Sequence, residues 1–160
     1  MSSYKAVLVG TDGSESSFRA VDRAASVAAD ADATLFLLTA YHEMSPRERE
    51  DARKALGEDA YKVQGSTPAE DVLREAEDRV TKLGVKNVKR LAVEGDPVDA
   101  LVKGALDNKV DLLVVGNRGL NSLAGRLLGS VPANITHKAN CDVLIVHTTG
   151  KQPSKGAAKS

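Results

Sequence analysis

The chain has 160 residues, 42% hydrophobic and 3% aromatic, and its 22 lysines and arginines balance 22 aspartates and glutamates. That length supports one domain with a buried core, and the charge balance offers no global field to draw the chain to nucleic acid or a lipid surface. Scarce aromatics leave few platforms for stacking bases, the single Cys141 precludes an intrachain disulfide, and no apolar run approaches a membrane span.

The N-terminal stretch, Tyr4-Lys5 followed by Ala6-Val-Leu-Val9, lacks the longer apolar core and small-residue cleavage site of a secretory leader. A cytoplasmic location is the expectation. Ala6 to Val9 reads as a first strand, closed by the loop Gly10-Thr-Asp-Gly-Ser14. Phe18, Val21, Ala25 and Ala28 then share one face of a helix. A second strand follows at Thr34 to Leu38, ending in Thr39-Ala-Tyr41.

Residues 43–66 are charged and weakly periodic, and read as a mobile insert with a short helix that stops at Gly57. Thr67-Pro-Ala-Glu70 has the form of a capping box with proline at the first helical position. Val72, Ala76, Val80 and Leu83 give the buried face of that helix, with Gly84 as its stop. Val88 to Val93 is a strand carrying Lys89 and Arg90, polar enough for a sheet edge. Asp96-Pro97 caps a helix whose inner face is Val98, Leu101, Val102 and Ala105. Leu112 to Val115 and Val143 to Val146 are continuous apolar runs, as expected for strands covered on both faces. The last residues, 149–160, are low in apolar content and read as a disordered tail on a domain spanning 1–148.

Strand and helix alternation of this kind implies right-handed crossovers and an open, doubly wound, mostly parallel α/β sheet with helices on both faces. Ligands in such sheets sit beyond the C-terminal strand ends, where strand order reverses. Two of the four loops there are rich in glycine, after the first and fourth strands. In the first, Gly10 and Gly13 permit sharp turns, and Ser14 or Ser16 can cap the next helix. Asp12 suits a ribose hydroxyl or a metal, or forms an Asx-turn.

The second loop, from Gly116 to Ser130, holds four glycines in fifteen residues. Val131-Pro132 behind it opens another helix, with Ser130 as the expected cap. Backbone N–H groups, the Ser130 hydroxyl, the helix dipole and the Arg118 guanidinium together suit an anion. The alternative is a solvated connection with Arg118 and Arg126 in water. Gly125 is followed by Arg126, so no phosphate-binding lysine motif is present, and GTDGS is not a dinucleotide fingerprint. His42, His137 and His147 lack metal-ligand spacing, and Cys141 reads as a packed thiol.

The spacing Gly116, Gly119, Gly129-Ser130 resembles the nucleotide-binding signature of the universal stress protein family. VLVGTDGSESSFRAVDRA resembles that family's first strand and helix, and DLLVVGNRG and CDVLIVH resemble its fourth and fifth strands. The likeness spans residues 4–147. It departs at Cys141-Asp142, where the family often has proline after the cysteine.

This resemblance implies an adenine nucleotide alpha hydrolase-like sheet in the order 3-2-1-4-5, usually dimeric. It implies adenine nucleotide binding by Gly10, Thr11 and Asp12, with Asp12 meeting the ribose, and by Ala40, whose backbone faces the adenine. Gly116, Arg118, Gly119, Gly129, Ser130 and Val131 would surround phosphate. The residues themselves offer no general base aimed at a phosphate and no metal-ligand set, so any hydrolysis is expected to be slow. Short actinobacterial members look especially close, and some of them bind cyclic AMP. With Arg118 the main loop cation and no lysine, one cyclic phosphate is better served than the triphosphate of ATP, which would call for magnesium. An apolar last strand at a sheet edge, Val143 to Val146, also favours pairing with a second copy.

Overall fold

Five strands, β1 (Ala6–Gly10), β2 (Thr34–Tyr41), β3 (Asn87–Glu94), β4 (Leu112–Gly116) and β5 (Asp142–Val146), form one parallel sheet in the order β3-β2-β1-β4-β5. Helices α1 (Glu15–Ala31), α2 (Ser66–Lys82), α3 (Pro97–Asp107) and α4 (Ser130–Lys138) connect them. The computed structural model describes residues 3–42, 66–117 and 130–148, together with positions 47, 50, 51 and 54. The helix expected within 43–66 is met at Arg47, Glu50, Asp51 and Lys54, which are helical and exposed. The rest of that insert up to position 65, and the tail after 148, lie outside the described residues.

The apolar runs of β1, β2 and β4 are continuous because those strands bury both faces; β5, expected to be covered on both faces, is an edge strand with Asp142 and Ile145 exposed and only Val146 buried. Val7, Val9, Leu35, Leu37, Leu112 and Val114 pack against Phe18, Val21 and Ala25 of α1 and Leu73, Ala76 and Val80 of α2. The alternate residues Leu8, Phe36, Leu38, Leu113 and Val115 pack on Val98, Leu101 and Ala105 of α3 and Ile135 of α4. A fully buried leucine or valine contributes about 1.5–3 kcal/mol, so these two layers dominate stability. β3 stands at one sheet edge, as its polar composition suggests, and the apolar β5 at the other, as the family resemblance implies.

Three helices end the same way. Val85 N–H donates to Val80 O and Gly84 N–H to Thr81 O; the pairs Ala33–Ala28 with Asp32–Ala29, and Val110–Ala105 with Lys109–Leu106, repeat the pattern. Each is the reversal that needs a residue at positive φ. Gly84 fills that place at φ 100°, but Asp32 (φ 55°) and Lys109 (φ 52°) do so without being glycine.

Two local expectations are corrected. α2 begins at Ser66, so Thr67 lies inside its first turn and is not the cap ahead of it. Leu83 is 49% exposed, because the helix closes at Lys82 and the turn through Gly84 takes it off the buried face. Asp96 caps α3 as expected, accepting from Val98 N and Asp99 N at 3.0 and 3.2 Å.

Candidate functional site: a crevice beyond β1, β2 and β4

The chain moves from β1 outward to β2 and β3, then returns to lay β4 on the other side of β1. Strand order therefore reverses between β1 and β4, and the two glycine-bearing strand ends open onto one crevice. α4 must run back against the strand direction to reach β5, which turns its N-terminus toward the same end of the sheet.

The first loop is built from inside. Thr11 is fully buried: its N–H donates to Leu38 O at 2.9 Å, its carbonyl accepts from Thr39 Oγ1 at 2.9 Å, and its hydroxyl bonds Ser17 Oγ at 2.7 Å. The same hydroxyl accepts from Gly13 N at 3.1 Å. With every polar group taken internally, Thr11 shapes the loop from below. Ser14 is the α1 cap, its Oγ accepting from Ser17 N at 3.1 Å, while Ser16 lies within the helix. Asp12 is exposed at the loop tip, and Oδ1 accepts from Ser14 N at 2.9 Å. The Asx-turn weighed from sequence is thus present, and it fixes the carboxylate's direction at the crevice.

β2 is longer than its apolar run, extending to Tyr41, whereas pairing with β1 ends at Gly10↔Leu38. Leu38 turns its carbonyl toward β1. Backbone direction alternates with period two, so the N–H and C=O of Ala40 face the same side, past the end of β1. Peptide groups there are available to an incoming polar edge, such as that of a purine.

On the other wall, Gly116 closes β4 and Asn117 leaves it. A Cβ on Gly116 would stand 3.0 Å from Thr148 Cγ2 and 3.2 Å from its Oγ1. A side chain at 116 would therefore press on Thr148, a packing contact that lies beside the phosphate role the resemblance implies for Gly116. Thr148 is itself a buried polar residue that the sequence reading passed over. A lone threonine after an apolar strand carries no motif, and only its burial singles it out.

Arg118, Gly119 and Gly129, like Arg126, lie outside the described residues. Ser130 and Val131 are the first two residues of α4, so Ser130 sits within the helix and does not precede it as a cap. Among the described residues no group of three His, Cys, Asp or Glu side chains gathers as a metal site, and no helix is long and apolar enough to cross a membrane. Burial pushes the Cys141 thiol upward, and a 2.7 Å hydrogen bond to Asp142 raises the Tyr4 hydroxyl. Both lie at the opposite end of the sheet, at the starts of β5 and β1.

This strand order and these loops coincide with a family match. The description "Universal stress protein family" fits residues 3–147. The chain belongs to the universal stress protein family. Universal stress protein Rv1636 of Mycobacterium tuberculosis is 55% identical over 151 residues, covering 93% of this chain and 100% of that protein. A crystal structure of a universal stress protein in complex with cAMP is 47% identical, covers 92% of this chain and 100% of its own, and superposes with a TM-score of 0.71. The family's fold is also shared with UspA from Lactobacillus plantarum, at 23% identity, 92% and 100% coverage and a TM-score of 0.73.

Proposed function

We propose that the protein binds an adenine nucleotide in the crevice beyond β1, β2 and β4, with cyclic AMP as the preferred ligand, and acts as a sensor or buffer of it. The observation that carries this reading is the 47% identity, over 92% of the chain, to a universal stress protein in complex with cAMP. The geometry is compatible with it. Ala40 offers backbone groups past the end of β1, Asp12 stands exposed at the loop beside it, and Gly10 lies below. Gly116 ends β4 on the other wall and Ser130 and Val131 open α4; Arg118, Gly119 and Gly129 belong to the reading by family resemblance and lie outside the described residues. One arginine and a helix N-terminus suit a single phosphate charge.

Self-association through β5 belongs to the same reading. Val146 is buried, but Ile145 is 36% exposed along the free edge of the sheet. Pairing that edge with a second copy covers it. Sedimentation of the protein and of Ile145→Lys tests this: a dimer that the lysine dissociates is expected, and a monomeric parent overturns it.

Calorimetry with cyclic AMP, AMP and ATP, with and without magnesium, tests the ligand. Tightest binding of cyclic AMP, indifferent to magnesium, is expected. ATP preferred only with magnesium, with steady phosphate release or self-phosphorylation, would establish the competing enzyme reading. Binding of none of the three would leave a dimeric interaction module.

A further inference from the structure

Asp12 is exposed at the crevice, and the residues around it close a ring of hydrogen bonds. The Ser17 hydroxyl donates to Ser14 O at 2.9 Å; a carbonyl can only accept, so the one proton of Ser17 is committed there. The 2.7 Å contact between Thr11 Oγ1 and Ser17 Oγ therefore has a single sense: Thr11 donates and Ser17 accepts. Thr11 Oγ1 in turn accepts from Gly13 N at 3.1 Å, and Asp12 Oδ1 accepts from Ser14 N at 2.9 Å. Both neighbours of Asp12 are thus held, and Ser17 joins the start of the loop to its end.

Helix α1 does not need this hydroxyl. Ser14 O also accepts from Phe18 N at 3.0 Å, and Ser14 Oγ accepts from Ser17 N, so the first helical bond and the cap persist without it. Thr11 does need it. Thr11 is fully buried, and among the described residues no buried side-chain polar atom lacks a partner. Without Ser17 Oγ the Thr11 hydroxyl must turn toward another acceptor, and the Gly13 N–H that it anchors turns with it.

We infer that Ser17 is a positioning residue for the Asp12 carboxylate, setting through Thr11 and Ser14 where that carboxylate meets the ligand. The inference rests on the nucleotide reading above. A carboxylate only accepts hydrogen bonds and repels phosphate, so with the base at Ala40 what it takes from the nucleotide is a ribose hydroxyl proton. Cyclic AMP has one free ribose hydroxyl, at the 2′ position, because the phosphate ring esterifies the others.

The test measures, by calorimetry on the full-length protein, the preference for cyclic AMP over its 2′-deoxy analogue, with melting of the ligand-free protein as a monitor of the fold. The parent is expected to favour cyclic AMP about tenfold, one charge-assisted hydrogen bond. Ser17→Ala is expected to cut that preference to about threefold, because a carboxylate no longer held in place must be ordered on binding, and to leave the affinity for the deoxy analogue unchanged. Ser17→Thr, which keeps the hydroxyl, is expected to keep the parental preference. Ser17→Cys, with a weaker donor and acceptor, shifts the preference in the same direction as Ser17→Ala and serves where that variant does not fold. A parental preference in Ser17→Ala, equal loss of both ligands with a lowered melting temperature, or a Ser17→Thr protein that behaves as Ser17→Ala overturns the positioning role. A parent that binds both ligands equally overturns it too, while the nucleotide reading stands. A parent that binds neither removes the nucleotide reading itself, and the inference with it.

Discussion

A Cβ placed on Gly13 would stand 2.9 Å from Val72 Cγ2, and Gly13 carries a φ of +86°. The loop after β1 and the helix α2 are therefore fitted to each other through a missing side chain. Gly13→Ala meets both the left-handed backbone cost and the overlap, for a loss of about 2–3 kcal/mol in urea denaturation. Adding Val72→Ala removes the overlap and leaves the backbone cost, so the pair is expected to be less than additive by about 1 kcal/mol. Strict additivity would mean that Val72 gives way without strain.

Gly116 and Thr148 form a second pair of this kind. Gly116→Ala is expected to displace Thr148 and lower stability by about 1–2 kcal/mol, as well as weakening nucleotide binding. Combining it with Thr148→Ser removes the atom at 3.0 Å and restores part of the stability. The melting temperatures of the two single variants and the double variant decide it. A Gly116→Ala protein as stable as its parent would show that Thr148 shifts freely.

These two contacts mark the boundary of what could be read in the sequence. The inner strands were legible because burial on both faces makes them continuous apolar runs, and the edge strand β3 because Lys89 and Arg90 are polar; the apolar β5 reads like an inner strand, and only family resemblance puts it at an edge. The order 3-2-1-4-5 came through family resemblance, since alternation alone does not choose among doubly wound orders. The left-handed turns at Asp32 and Lys109 were not legible, because neither residue has the glycine signature. The internal bonds of Thr11 and the burial of Thr148 were not legible for a related reason. Their roles arise from hydrogen bonds to residues far away in the chain, such as Leu38, Asn117 and Ser16, and no local pattern records such partners.

Lys109 ends its helix at φ 52° with a side chain that disfavours that conformation. Lys109→Gly is expected to stabilise the protein by about 0.5–1 kcal/mol, the relieved strain exceeding the added freedom of the unfolded chain. Asp32→Gly should gain less, because aspartate tolerates the left-handed region better than lysine. Gly84→Ala should lose about 1 kcal/mol. Chemical denaturation of the three variants tests that order, and a destabilising Lys109→Gly would contradict it.

Arg79 of α2 grips Asp22 of α1 through two bonds of 2.6 and 2.9 Å, with its guanidinium 5.1 Å from the centre of the Phe18 ring. The carboxylate raises the affinity of the guanidinium for its proton, so Arg79 stays charged at any accessible alkaline pH. Both side chains are about four-tenths exposed, at 44% and 39%, so solvent screening limits the contribution to about 0.5–1 kcal/mol. Arg79→Lys is expected to forfeit most of it, because an ammonium reproduces neither the fork nor the stacking. The difference from the parent should shrink in 1 M salt, on the order of a 3 Å screening length. A salt-independent difference would assign the effect to packing on Phe18 instead.

Leu8 and Val9 are neighbours in the chain, yet they belong to separate packed volumes on opposite sides of the sheet. The strands act as a bulkhead between two compartments. A void opened under α3 is not relieved by anything that α1 or α2 can do, and truncations on the two sides should sum as independent events. The crevice lies across the end of that bulkhead, beyond β1, β2 and β4.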